Sequence, residues 1–560
     1  MALRQKRYLK LLATIVLSLF WPVSGNADAQ EGAKKHRPVR TDLREAIAQG
    51  VLALNNSFDR DRDDEPFFYA NHLEDGTAEF RHSVHIGIPH VVGRCLWPAM
   101  LAEEVANVPF PEEGLKILTR FCRSSFDNPD HLNSYFDPEK GNQRFIEFHN
   151  MREGLFGLLA LAKGRNLPWA KEKAHSMLLT LEKLTSPEGH LSIERAKKLG
   201  MASYCKGLGL DATTSGRLVD PLIEYYQFSN DPLALKLAGL YAKATLKTAF
   251  TEEGKFAPRK ASGGHIHSIT SSLSGITLYA AFRRDSTMLE ACRRIVDQGV
   301  PEYFSSWGWG DEVMADHPAN VQSRGEVNQI GDVIRTALTL GRHVGPEYYE
   351  LAERYLRSML LPSQLREENL KDFIREKAQP KGDAERNVLQ RSIGGYGFPL
   401  PNDRMREGDW PIFTLDITSG AVHALCEAWR HRMTRDADVL KLNLLFDFDG
   451  PEFRIRSRLP HEGRIEFEAK DSKPLWIRIP EWVDRTTIQL ALDDKAIPVR
   501  IEEGYLRLPA LRSGSKGTVD FHLPERQKTE MVDGIEYRTK WIGNQILEIA
   551  PRGTVSPLPF

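Results

Sequence analysis

The chain has 560 residues, 27% of them charged and 41% hydrophobic, with 75 basic side chains against 76 acidic ones. That composition excludes collagen-like, low-complexity and wholly disordered chains, and the length predicts two to four domains. A formal net charge of −1 argues against nucleic acid as the partner, because phosphate binding needs a basic excess or a basic face.

The first element is a targeting segment. Arg4, Lys6, Arg7 and Lys10 form a basic region, Leu11 to Phe20 an apolar one, and Ala27-Asp28-Ala29 a small-x-small cleavage pattern. Residues 1–29 are therefore expected to be a signal peptide, with the mature protein exported to the periplasm or the exterior. No later apolar stretch reaches the length of a membrane span, so no membrane association is expected after cleavage. Cys95, Cys122, Cys205, Cys292 and Cys426 are too scattered for a disulfide scaffold. With no CxxC pair, they also exclude a cysteine-rich zinc site.

From about residue 40 to 435 the apolar period is helical. Leu218, Val219, Leu222, Ile223 and Tyr226 make one stripe; Ser229-Asn230-Asp231-Pro232 stops that helix and opens the next. Thr287-Met-Leu-Glu290 reads as a capping box for another helix. Helix, short connection, helix is the repeating unit. Residues 30–435 are thus expected to form a closed toroid of αα-hairpins, of the (α/α)6-barrel type. After about residue 436 the period becomes two, as in Leu440/Leu442/Leu444, Ile465/Phe467, Ile477/Ile479 and Val519/Phe521, with Gly463, Pro480, Gly504 and Gly514 between. Residues 436–560 are expected to form an antiparallel β-sandwich.

Polar residues crowd where core is otherwise expected. The segment Phe80–Arg94 holds His82, His85, His90 and Arg94 beside glycines, a combination suited to binding sugar hydroxyls. A His82-x-x-His85 pair lacks obvious further metal ligands. In Glu147–Glu153, His149 and Glu153 fall on one helical face. His265 and His267 precede a helix, and Trp307-Gly-Trp309-Gly-Asp311-Glu312 joins two indoles to two carboxylates. Aromatic platforms beside carboxylates suit carbohydrate, since sugar C–H faces stack on indoles while acids work on the glycosidic bond.

The order of these pieces resembles the β-L-arabinofuranosidase family of glycoside hydrolases, family 127, and its bacterial relatives, over about residues 200–530. His265 with Gly275, Gly325-Glu326-Val327-Asn328, the helix Tyr349-x-x-Ala352-Glu353-Arg354-Tyr355-Leu356, and Trp476-Ile-Arg478-Ile-Pro480-Glu-Trp482 carry the likeness. The resemblance implies a zinc held by one glutamate and three cysteines, one of them the nucleophile. Here Glu326 stands in the glutamate's place, but Asn328 and Asp416-Ile417 replace the cysteines, so neither zinc nor any other cofactor is expected. What the resemblance then implies is an exported glycoside hydrolase working with two carboxylates: Glu312 as acid/base, with Asp311 as the alternative, and Asp416 as nucleophile. His85, His90, Arg94, His149, His265, His267, Trp309 and Glu326 are expected to bind a carbohydrate, of which an arabinofuranoside is the one the resemblance implies. The alternatives are a polysaccharide lyase on the same fold and a sugar-binding relative without activity.

Overall fold

The computed structural model describes residues 42–558; the expected signal peptide lies outside them. Twelve helices dominate the first part of the chain. They are α1 (Leu43–Asn55), α2 (Ile88–Ala106), α3 (Glu112–Ser125), α4 (Met151–Gly164), α5 (Pro168–Leu184) and α6 (Ser215–Ser229). Then follow α7 (Pro232–Ala249), α8 (Ile266–Arg283), α9 (Ser286–Gln298), α10 (Val327–His343), α11 (Glu347–Tyr355) and α12 (Leu415–His431). The even-numbered helices each pack on the next, and α12 closes onto α2; each odd-numbered helix packs outside an even one. This is the expected (α/α)6 barrel.

Inner and outer helices differ as their sequences require. Outer helix α9 buries one stripe, Met288, Cys292, Ile295 and Val296, whereas inner helix α8 is buried on every side from Ile266 to Thr277. The stop between α6 and α7 is as expected: Asn230 is left-handed at φ 57°, Asp231 caps Leu233 N, and Pro232 takes the first turn. The start of α9 is not. Its cap is Asp285, which accepts from Met288 N, while Glu290 pairs with Arg293 instead of closing a capping box on Thr287. Aspartate accepts from the orphan amides at least as well as threonine, so the helix begins two residues earlier.

Strands follow from Met433. A five-stranded sheet (501–502, 505–510, 474–478, 439–442, 433–436) faces a six-stranded one (448–449, 453–457, 464–469, 516–520, 489–492, 495–496). Leu442, Ile455, Ile465, Ile477, Leu506 and Val519 fill the space between them. Within these two sheets the pairings are antiparallel except 439–442 with 474–478. The sandwich ends earlier than expected. Strands Glu525–Val532, Ile535–Ile542 and Gln545–Ala550 form a separate meander, whose Tyr537, Trp541, Ile546 and Ile549 join the core of the helices. Their alternation marks them as strands but says nothing of which core they fill.

Candidate active site

All six inner helices begin at the same mouth of the barrel, and each contributes polar side chains from its first turns or from the residues just before it. Their N-terminal amides make that mouth electropositive, a setting that favours carboxylates. His90 and Arg94 come from α2, His149, Arg152 and Glu153 from the start of α4, and Arg217 from α6. His265 and His267 come from α8, Glu326 and Asn328 from α10, and Asp416 from α12.

Asp416 is the centre of the network. Its Oδ1 accepts from His90 Nε2 at 2.9 Å and lies 3.1 Å from Arg94 Nε. Its Oδ2 accepts from Asn328 Nδ2 at 2.7 Å. The same amide donates to Glu326 Oε1 at 2.7 Å, and Asn328 Oδ1 accepts from Arg94 Nη2 at 2.8 Å. Burial alone would raise the Asp416 pKa, but Arg94 and His90 hold it well below the usual carboxylate range. Glu326 is likewise lowered, because His267 and His265 outweigh its burial. Gly420, one turn along α12, leaves room for this cluster: a Cβ there would lie 1.9 Å from Asn328 Oδ1 and 2.7 Å from Arg94 Nη2.

On the other side of Glu326, His265 Nε2 stands 3.2 Å from Glu326 Oε2, and its Nδ1 is 2.9 Å from Ser268 Oγ. Burial would lower the His265 pKa; the Glu326 and Glu312 carboxylates more than offset this and raise it. Glu312 is brought here by the loop before α10, whose backbone pairs twice: Ile266 N donates to Glu312 O at 3.0 Å and Glu312 N to Arg324 O at 2.9 Å. Its carboxylate is ion-paired with Arg324. His149 stacks on His90 with ring centroids 5.6 Å apart and lies against Arg217 Nη1. Burial first, then Arg217 and His90, push its pKa well down, so the ring is neutral.

Below this layer the barrel axis stays charged. Glu153 is fully buried among Arg217, Arg152 and Arg94, and its pKa is lowered because these cations and His90 overcome its burial. His267 Nδ1 donates to Asp332 Oδ2 at 2.7 Å, and Arg335 Nη2 donates to Asp220 Oδ2 at 2.7 Å.

Seven expected residues therefore converge: His90, Arg94, His149, His265, His267, Glu326 and Asp416, with Glu312 at the rim. Four corrections follow. Trp309, expected to stack on sugar, is 1% exposed and donates its indole N–H to Pro399 O at 2.9 Å; Trp307 is as buried and donates to Pro401 O at 3.0 Å. A ring sealed in the core cannot serve as a platform. Asp311 is not an alternative acid beside His265. It faces Asp533 in the turn between strands Glu525–Val532 and Ile535–Ile542, and burial and that neighbour raise its pKa to about 7. His85 stays outside the network, exposed, with Nδ1 at 3.0 Å from Tyr135 OH. His90, Arg94 and His267 are almost wholly buried, so they orient Asp416 and Asp332 and do not line an open surface. His82 does not join His85 either, because Asp59 takes its Nε2 at 2.8 Å.

Arg217, Asp220, Asp332 and Arg335 were missed. Each pair is spaced i, i+3 on an inner helix, opposite the apolar stripe. On an isolated helix that spacing marks the solvated face; in a closed ring it marks the axis.

The thiolate zinc centre implied by the family resemblance does not fit these residues. Every hydrogen-bonding atom of the Asn328 amide is engaged, Ile417 is apolar and buried, and Asp416 is held by His90 and Arg94. The five cysteines are free; burial pushes the Cys95 thiol up to about 12.

In architecture, the chain is an (α/α)6 barrel with appended β-sheets, the fold of family 127 glycoside hydrolases. A GH127 β-L-arabinofuranosidase from Geobacillus stearothermophilus T6 superposes with a TM-score of 0.54 at 12% identity, covering 90% of this chain and 80% of that one. A second GH127 β-arabinofuranosidase gives 0.58 at 13% identity, covering 90% and 79%. Another structure described as a glycoside hydrolase gives 0.53 at 11%, covering 81% and 76%. Neither a family model nor a curated protein matches the sequence. At these identities the likeness is one of fold.

Proposed function

We propose that the protein is a carbohydrate-active enzyme that hydrolyses a glycosidic bond at the N-terminal mouth of the barrel, without the thiolate zinc chemistry. The observation that carries this reading is Asp416: an ionised carboxylate at the start of α12, 8% exposed, fixed by His90, Arg94 and Asn328. It stands in one cluster with a second carboxylate, Glu312, and the two are linked through Glu326. Glycoside hydrolysis needs such a pair, one group to stay anionic beside the anomeric carbon and one to exchange a proton with the leaving oxygen. Asp416 is the anion. Glu312 enters the reaction as the acid, passes its proton to the leaving oxygen and recovers one from the water that takes that oxygen's place on the anomeric carbon, with Arg324 pairing its carboxylate form in between. His265, with its raised pKa, donates to a sugar hydroxyl or ring oxygen. Arabinofuranoside is the substrate class suggested by the structural neighbours. Export forms part of the proposal and rests on the leader; the mature N-terminus, read by mass spectrometry, should fall near residue 30.

A second reading has its own support. Both Asp416 oxygens already carry donors, as befits a carboxylate that shapes a sugar-binding pocket without reacting. The two variants Glu312→Gln and Asp416→Asn separate the readings. The hydrolase reading expects a turnover loss of about 10³-fold or more in each, with sugar binding retained. Release of reducing ends unchanged in both variants would move the hydrolysis to other residues, whereas none from the wild type on every glycan tried favours the binder. An ultraviolet-absorbing unsaturated product would point to a lyase instead.

A further inference from the structure

We propose that His265, Glu312 and Glu326 form a divalent-metal site of nitrogen and oxygen donors at the mouth of the barrel. One ligand atom from each lies within 4.8 Å of the others, although the three come from separate elements: the residue capping α8, the loop before α10, and the residue capping α10. His265 Nε2 and Glu326 Oε2 are 3.2 Å apart. That is long for a charge-assisted hydrogen bond, which runs about 2.7–2.9 Å. It is close to the roughly 3.3–3.5 Å that separates two ligands placed 2.0–2.2 Å from a tetrahedral ion.

Each donor is also oriented by a neighbour on its far side, as metal ligands are. Ser268 Oγ engages His265 Nδ1 at 2.9 Å, leaving Nε2 to face the carboxylates. Asn328 holds Glu326 Oε1 at 2.7 Å, leaving Oε2 free to turn inward. Arg324 holds one Glu312 oxygen, leaving the other. Three protein donors leave a fourth position open to water or a sugar hydroxyl.

The site shares only Glu326 with the thiolate centre considered above. Imidazole with two carboxylates is a harder donor set, suited to Zn²⁺ or Mn²⁺ and not to thiophilic ions. One consequence reaches the proposed hydrolase. A Glu312 carboxylate bound to an ion cannot carry the proton, so loading should slow turnover. The site itself does not depend on that reading, and calorimetry, which needs no substrate, tests it separately.

The full chain, stripped with EDTA, is titrated with ZnCl2 and with MnCl2. One ion per chain is expected for at least one of the two, with a raised unfolding temperature. Affinity should fall by about 100-fold or more in His265→Gln, Glu326→Gln and Glu312→Ala. Glu312→Ala lies in a partly exposed loop and keeps the comparison valid if a more buried variant misfolds. Cys205→Ser should bind as wild type, and the Co²⁺ derivative should lack a sulfur-to-metal charge-transfer band. No binding of either ion overturns the proposal, as does binding that survives the three substitutions or shows sulfur ligation. Binding accompanied by faster hydrolysis keeps the metal site and removes Glu312 from the role of proton donor.

Discussion

Gly420 shows how a residue without a side chain can govern a charged site. The space over its Cα is taken by the Asn328 amide and the Arg94 guanidinium, the two groups that position Asp416. Gly420→Ala should drive Asn328 away from Asp416 and Glu326 without altering any charge. Overpacking of this kind costs about 1–3 kcal/mol, which urea unfolding would report. The proposed hydrolase should lose activity by more than that cost implies, because Asp416 loses its donor. Equal activity in the variant would show that the amide does not position the carboxylate. Thr418, Ser419, Gly420 and Ala421 make a run of small residues after Asp416, but sequence alone does not tell what such a run accommodates. Asn328 is 88 positions from Asp416 and Arg94 lies farther still, and no local pattern joins them.

Between elements, the most informative contact is the one joining helix α11 and the five-stranded sheet. Glu353 is fully buried; Arg357 Nε donates to it at 2.8 Å, Leu445 N at 3.0 Å, and Arg478 reaches it from the strand. Glu350 takes Arg478 Nη1 at 2.7 Å and the Trp482 indole at 3.0 Å. Two of the segments that carry the family likeness, the Glu353 helix and the segment Trp476–Trp482 at the end of strand Pro474–Arg478, are thus the two halves of one joint. This explains why they reported the fold well and the chemistry poorly. Breaking a buried pair leaves an uncompensated charge, so Glu353→Ala should destabilise by about 3–5 kcal/mol. The cations hold the Glu353 pKa below its ordinary 4.5 despite burial. Its contribution is therefore present above about pH 4.5 and lost as pH falls through the lowered value. The wild type should lose more stability than the variant on acidification through that window; parallel curves would show that Glu353 is not the group responsible. Helices and strands themselves were legible, because a period of 3.6 or 2 is a local property. The axial pairs Arg217/Asp220 and Asp332/Arg335 were not, since only ring closure turns a polar face inward.

Across the whole molecule, ring closure joins distant parts of the chain: the His90–Asp416 hydrogen bond spans 326 positions. The class of architecture could be read from the order of helical and alternating segments, but not the return of residues 525–550 to the helical core. A chain ending at residue 524 keeps every sandwich strand yet lacks Tyr537, Trp541, Ile546 and Ile549 from that core. It should melt at a lower temperature and be cut by protease first within the helical region, whereas an unchanged melting temperature would show the last sheet to be dispensable. Contacts of such long range form late, because the entropy of closing large loops must be met before they stabilise anything. During synthesis, then, the part of the protein begun first is finished last. A nascent chain cannot close its ring until α12 has followed α2 out of the ribosome, and its helical core takes its last strands only after every strand of the sandwich has been made.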